Sequence, residues 1–330
     1  FSEKFWATLH RQTPVSQPYW LVNSMSKGSY NVTDQNLIGK PENDPLSCEV
    51  VLDFGDLKIP YKLPVWYKSN DPVKGEVYQP VFVIPAVEVR PDPGMALSVN
   101  GQPVPVIPVV TMNNNTIRGG KISERFSGKN GTIVWSGSNK YAIKGIPNVS
   151  DTIHFYYASG VDTFNHYKVM ISYPHIPDIV YFPRSDTRLV SVDLKTSGKN
   201  AAYIPGAGDK IPDALQKMGY NVNTLSQNDI TAKSLAKYDV IVTGVRAYNI
   251  HEWLNNVYPA LMEYVKNGGV LFVQYNTNNN IGRVKAKIGP YPFQISRTRI
   301  TDEDAEVNFI DPKNPLLNYP NKISQNDFDN

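Results

Sequence analysis

The chain of 330 residues carries 33 Lys and Arg against 30 Asp and Glu, a formal net charge of +3. That balance is too even for a nucleic-acid binder by bulk charge, and no apolar run is long enough to span a membrane. With 41% hydrophobic and 19% charged residues the chain can build real cores, which argues against wholesale disorder, and its length suits two or three domains.

The 26 Pro and 20 Tyr point to many short strands and turns. Residues 1–18 read as a leading segment in which Pro14 and Pro18 end any helix begun at Phe5-Trp6. From Tyr19 to about Ile84 the pattern is short and alternating, as in Glu49-Val50-Val51-Leu52-Asp53-Phe54. It is broken by turn signals at Gly39-Lys40-Pro41, Asn43-Asp44-Pro45 and Asn70-Asp71-Pro72. A second β-like stretch follows, with Ala96–Val99, Thr132–Trp135, Thr152–Tyr157 and an Asn100-Gly101 turn suited to a type I′ hairpin. Two immunoglobulin-like β-sandwiches, over 19–85 and over 86–183 with a linker, are the economical expectation. The single Cys48 excludes an intramolecular disulfide and a cysteine-based zinc site, and reads as a small buried apolar residue.

After Pro183 the grammar changes. Ala201–Ile204 is a short apolar strand running into Gly206-Ala207-Gly208-Asp209. Ile211, Ala214, Leu215 and Met218 then share a helix face, with Gly219 as the C-terminal stop. A helix capped by Asn228 or Asp229 follows, then the strand Val240–Val242. A longer helix turns Leu254, Val257, Leu261, Met262 and Val265 inward, with a kink or restart at Pro259 and an end at Asn267-Gly268-Gly269. Val270–Val273 is expected as a buried strand. Alternating strands and helices imply a parallel sheet with helices on both faces. The fold class is therefore multidomain β plus α/β, with a flavodoxin-like domain over 184–330 that is expected to continue past Asn330. Phe1 opens without a leader, so a longer parent chain with its signal peptide upstream, and an extracytoplasmic location, is the expectation.

Val245-Arg246-Ala247-Tyr248-Asn249, Tyr264–Gly269, Val273–Thr277, Gly289–Pro292, Ile295–Arg297 and Thr301–Val307 form a recognisable series. It resembles the C-terminal region of the large PIG-L (LmbE-like) deacetylases of Bacteroidetes-type bacteria, densely over 184–330. The resemblance is thinner at Pro18–Leu21 and Leu37–Pro41, and 86–183 are placed by position and β pattern. It implies that chemistry belongs to an upstream zinc domain that removes acetyl groups from an N-acetylated sugar. This chain would then be a non-catalytic accessory region that positions the zinc domain or binds glycan. Its partners would be that upstream domain and possibly a glycan, with no nucleic acid, no membrane span and no cofactor of its own. None of His10, His154, His166, His175 and His251 lies in a metal-ligand pair, and Pro174-His175-Ile176-Pro177-Asp178 lacks paired acids. The sub-fold over 184–330 also looks like the class I glutamine amidotransferase and ThuA-like group, so a ThuA-like sugar-handling enzyme is the alternative.

Amidotransferase chemistry needs a nucleophile on a strand-to-helix turn, yet Gln274-Tyr275-Asn276 follows the fourth strand and Cys48 lies in another domain. Arg246, Tyr248, Asn249 and His251 after the third strand, with Gln274 and Asn276 after the fourth, gather at the carboxyl edge where ligands bind doubly wound sheets. Arg246 could grip a carboxylate or sugar oxygens, or else pair with Asp239 or Asp302. Gly206-Ala207-Gly208 reads as a tight turn rather than an anion site, since Asp209 puts charge where phosphate would sit. Arg297-Thr298-Arg299 with Asp302-Glu303-Asp304 reads as a solvated charge run, and the glycosylation patterns at Asn31, Asn114, Asn130 and Asn148 as chance. Trp20, Trp66, Tyr67, Trp135, Tyr156 and Tyr157 could stack on a sugar, but core filling is expected for most.

Overall fold

The computed structural model describes residues 8–10, 13–26, 28–40, 46–137, 139–176, 178–279, 282–302 and 305–328. The Phe5-Trp6 helix start, the turn signals within 41–45, Pro177 and the Glu303-Asp304 pair lie outside them. The molecule is β plus α/β, and it divides into two compact units between Ser191 and Val192.

In the first unit, β1 (Ser47–Asp53) pairs antiparallel with β2 (Lys58–Pro64), and β3 (Trp66–Asp71) with β4 (Gly75–Pro80). Asp71 forms the second turn by accepting the amides of Val73 and Lys74, each at 2.8 Å. A sandwich was expected over 19–85, but these are two separate two-stranded ribbons with no buried residue in any of the four strands. The alternation is there: Cys48, Val50 and Leu52 face the same side as their partners Leu63, Tyr61 and Ile59. What is missing is a second sheet against that side, so Cys48 is exposed rather than buried.

The sandwich lies further on. Its strands are β5 (Val87–Asp92), β6 (Met95–Val99), β7 (Val104–Met112), β8 (Lys121–Phe126), β9 (Gly131–Gly137), β10 (Lys140–Gly145), β11 (Asp151–Ser159), β12 (Asp162–Phe164) and β15 (Asp186–Val192). One sheet runs β5-β7-β10-β9; the other runs β12-β11-β15-β6, with β8 also on β11. Alternate residues of both sheets (Val87, Val89, Val106, Ile143, Ile153, Phe155 and Leu189) meet in one core, all of them fully buried. Each such side chain contributes about 1.5–3 kcal/mol by leaving water. Asn100 and Gly101 have φ of 52° and 66°, as a type I′ turn requires, and Gln102 N–H closes the turn on the Val99 carbonyl at 2.9 Å. The turn does not build a hairpin, because β6 and β7 belong to different sheets. The sandwich also runs past the expected boundary at 183, since β15 is one of its central strands. A further small ribbon pairs β13 (Val169–Ile171) with β14 (Ile179–Tyr181). The leading segment is tied down at Ser16, whose hydroxyl accepts from Val83 N–H at 2.6 Å.

The second unit is a parallel sheet of β16 (Asn200–Ile204), β17 (Asn221–Thr224), β18 (Val240–Thr243) and β19 (Val270–Val273), in the order β17-β16-β18-β19. In chain order this is 2-1-3-4, with a switch point between the first and third strands. α1 (Ile211–Lys217) ends as expected at Gly219, where Tyr220 N–H reaches the Leu215 carbonyl and Gly219 N–H that of Gln216. The next helix, α2 (Ala232–Leu235), is capped by Thr231, not by Asn228 or Asp229. Asp229 instead folds back on Ser226 and closes a 3-10 turn. α3 (Ala247–Ile250) is a single turn, and α4 (Leu254–Lys266) runs through Pro259 as one helix. It buries Leu254, Val257, Leu261 and Tyr264, with Met262 and Val265 at the margin. These pack with Ile204, Leu235, Ile241 and Tyr248 into the core of the unit. β19 is less buried than expected: Val270 and Phe272 stay 56% and 57% exposed. They lie with Val240 and Val242 in an open apolar groove beside α1. A short helix, α5 (Pro315–Asn318), and a 3-10 turn at Gln325–Asp327 follow later in the chain. No helix of the described residues is long and apolar enough to cross a membrane.

Candidate functional site

The switch point places the loops after β16 and β18 side by side, and close approach of their backbones shapes everything that follows. A side chain on Gly206 would strike the Val245 carbonyl and Gly244, and one on Gly244 would strike Gly206 N and the Tyr203 hydroxyl. The bare backbones lock through Ala207 N–H to Val245 O at 2.7 Å and Gly244 N–H to Ile204 O at 2.8 Å. Asp209 fills the crevice between them. Its carboxylate accepts from Val245 N–H (3.0 Å), Ile211 N–H (3.0 Å), Gln274 Nε2 (3.1 Å) and the Tyr203 hydroxyl. Burial alone would raise this carboxyl, but the four donors outweigh it and hold its pKa below the ordinary value. Burial and the bond to Asp209 push the Tyr203 hydroxyl up to about 12. A phosphate therefore finds its place already taken by a carboxylate, and the Gly206–Gly208 turn is structural.

Arg246 sits at the apex of the turn from β18 into α3, with φ 57° and ψ 23°. A left-handed conformation costs a residue with a Cβ about 1–2 kcal/mol. The backbone holds it there through Arg246 N–H to Tyr275 O at 2.7 Å and Asn249 N–H to Arg246 O at 2.9 Å. Arg246 is exposed, and among the described residues Asp239 does not pair with it. Asp239 is spent on the amides of Lys199 and Asn200, at 2.7 and 2.8 Å. The other five expected residues share this edge in a different capacity. Tyr248 is 1% exposed and belongs to the core; burial pushes its hydroxyl up to about 12 and leaves it without a hydrogen-bond partner. Asn249 Nδ2 donates to the Thr277 and Gly282 carbonyls, and its Oδ1 accepts from Thr277 N–H. Asn276 accepts from Tyr248 N–H and donates to the Gln274 carbonyl. His251 Nε2 lies 3.0 Å from the Pro205 carbonyl, and Gln274 serves Asp209. Four of the six thus staple the loops together, Tyr248 is core, and Arg246 is the exposed charged group at the edge.

A second constellation lies on the outer face of the sandwich. β8 and β15 flank β11 with Arg125 and Asp186 both opposite His154. Ser127, just past β8, shares their face. Its Oγ is 2.6 Å from His154 Nε2, and His154 Nδ1 is 2.7 Å from Asp186 Oδ1. A carboxylate only accepts, so with neutral imidazole the proton sits on Nδ1 and Nε2 accepts from the serine hydroxyl. The three line an open cleft of about 460 Å³ together with Arg125, Asn165 and Arg184.

No protein family and no curated protein matches the chain. Among solved structures, one from Bacteroides fragilis, provisionally assigned as an alpha-galactosidase, aligns at 11% identity over 58% of this chain and 53% of that one, with a TM-score of 0.20. The chain spans about half the length of that structure, and a likeness this slight carries no argument.

Sequence reading placed the loops of the parallel sheet but missed the serine–histidine–aspartate row. Ser127, His154 and Asp186 are 27 and 32 residues apart, and only strand register brings them together. The available signal was the alternation of β11, which turns Ile153, Phe155 and Tyr157 inward and therefore His154 outward. Nor do the aromatics form one platform: Tyr157 is core, while Trp66 and Tyr67 are consecutive on β3 and point to opposite faces. Trp135 is likewise exposed. Among the described residues no three of His, Cys, Asp and Glu converge as metal ligands.

Proposed function

We propose that the α/β unit is a ligand-holding accessory module within a larger LmbE-like N-acetylsugar deacetylase. In this reading it is flavodoxin-like and amidotransferase-like in descent, follows immunoglobulin-like β structure, and acts outside the cytoplasm. Zinc in this reading belongs to the upstream domain of that parent. The observation that carries the reading is Arg246. The strained turn from β18 into α3 carries an exposed guanidinium that makes no ion pair among the described residues. A guanidinium cannot attack a carbonyl, but it binds carboxylates or sugar oxygens through paired N–H donors.

Calorimetric titration with uronate-containing and N-acetylated oligosaccharides tests this. Binding that Arg246→Ala weakens about 10- to 100-fold supports it, as expected for loss of a charge-assisted pair. Absence of binding to either class, or binding indifferent to Arg246→Ala, overturns it. The same strained turn at a switch point also suits a ThuA-like sugar-handling enzyme, which would need His251 as a proton carrier. Its Nε2 is engaged by Pro205, so turnover of a sugar substrate abolished by His251→Ala is the result that would favour that reading.

A further inference from the structure

We propose that Ser127, His154 and Asp186 form a nucleophilic relay that hydrolyses small acyl esters on an acidic carrier, an activity separate from the ligand site of the α/β unit. The geometry has the three parts such chemistry requires. The nucleophile's oxygen is in hydrogen-bond contact with the base, and the base's other nitrogen is fixed by a carboxylate. Ser127 is exposed at the mouth of the cleft, so a carbonyl carbon has access to Oγ. The row also stands on rigid strands, with Ser127 N–H anchored to Thr152 O at 2.8 Å.

The chemistry balances with water as the second reactant. Ser127 Oγ bonds to the ester carbon while its proton passes to His154 Nε2. The carbon–oxygen bond to the alcohol then breaks, and the alcohol leaves with that proton. Water attacks the acyl-serine, gives a proton to His154, and releases the carboxylic acid as the serine proton is restored. Asp186 is a positioning residue that holds the imidazole in the tautomer with Nε2 free and stabilises the imidazolium.

The cleft also says which ester. The amides that would ordinarily meet the oxyanion are spent: Ser127 N–H on Thr152, and Gly128 N–H on Asp151 Oδ1 at 2.9 Å. The donors left in the cleft are side chains. Arg125 is the cross-strand neighbour of His154, and Arg184 Nε stands 3.8 Å from Asp186 Oδ2. Arg184 is partly met by Asp186, and Arg125 beside it favours a substrate that brings a negative charge near its carbonyl.

The full chain is to be treated with a fluorophosphonate label and assayed with 4-nitrophenyl acetate and with an acetylated uronate. Labelling at Ser127, read by peptide mass, is expected, with hydrolysis that Ser127→Ala lowers at least about 10³-fold. Asp186→Asn is expected to lower kcat by a similar factor with KM unchanged, which loss of a merely structural bond would not do. Arg125→Gln is expected to raise KM about tenfold for the uronate ester and little for 4-nitrophenyl acetate. Failure to label Ser127 in the wild-type chain overturns the proposal whatever the variants do. So does hydrolysis that survives Ser127→Ala; either result leaves the row as a hydrogen-bond ladder joining three strands.

Discussion

At Arg246 the backbone and the side chain pull in opposite directions. The turn demands a left-handed residue, for which glycine is the cheapest choice, yet an arginine is held there. Strain held at an exposed charged residue is what the proposed ligand site would retain at the expense of stability. Arg246→Gly is therefore expected to raise stability by about 0.5–1 kcal/mol, read as a higher urea midpoint with unchanged slope, while losing ligand binding. Asp209 carries the opposite expectation. Its folded pKa lies below its ordinary value of 3.8, so its contribution is complete above that value and is lost as pH falls through the lower, folded one. Acid titration of Asp209→Asn should give a flatter stability profile below about pH 4 than the wild type. At higher pH the variant should be weaker, because an amide cannot accept from all four donors.

The elements were legible wherever one local rule sufficed. Gly219 stops α1 because nothing else accepts φ of 99° so cheaply, and Gly268 ends α4 the same way. No atom lies within 4 Å of a side chain added at Gly219, so Gly219→Ala should cost about 1 kcal/mol from backbone alone. Thr231→Ala should cost about 1 kcal/mol through the lost cap on Ser234 N–H, while Asn228→Ala, one of the positions the sequence favoured, should cost little. Thermal unfolding of the three variants separates these effects. Asp229 misled because an acid before an apolar run caps a helix or closes a turn equally well, and only the bond to Ser226 decides which. The Asn100-Gly101 pair announced its turn but not its destination. Dihedral preference is local, whereas burial sends the flanking strands to different partners: β6 to β15, about 90 residues on, and β7 to β5 and β10.

For the molecule as a whole, the alternation of apolar residues was readable and the number of sheets was not. Alternation states that a strand has an inside; it does not state that another sheet will arrive. The 86–183 pattern found its second sheet, with Leu189 added from beyond the expected boundary, and the β1–β4 pattern found none. The catalytic-type row shows the same limit, because register is a property of three strands together. The two cores share no residue, which makes each unit a candidate for its own transition. Phe155→Ala should cost about 3–5 kcal/mol in one calorimetric transition, and Leu261→Ala about 2–5 kcal/mol in the other. A single transition shifted by both variants would show that the units unfold as one.

The unopposed ribbon of β1 and β2 carries its own brake. Its closing bonds, Phe54 N–H to Leu57 O and Val65 N–H to Leu46 O, fix which backbone groups point across the pair. By alternation, Lys58, Pro60, Lys62 and Pro64 turn theirs outward. Two of those four positions have no N–H to offer, and the other two carry ammonium groups, so no further strand can zip along β2. Any sheet that this ribbon joins must grow from β1 alone, and β2 will be its last strand.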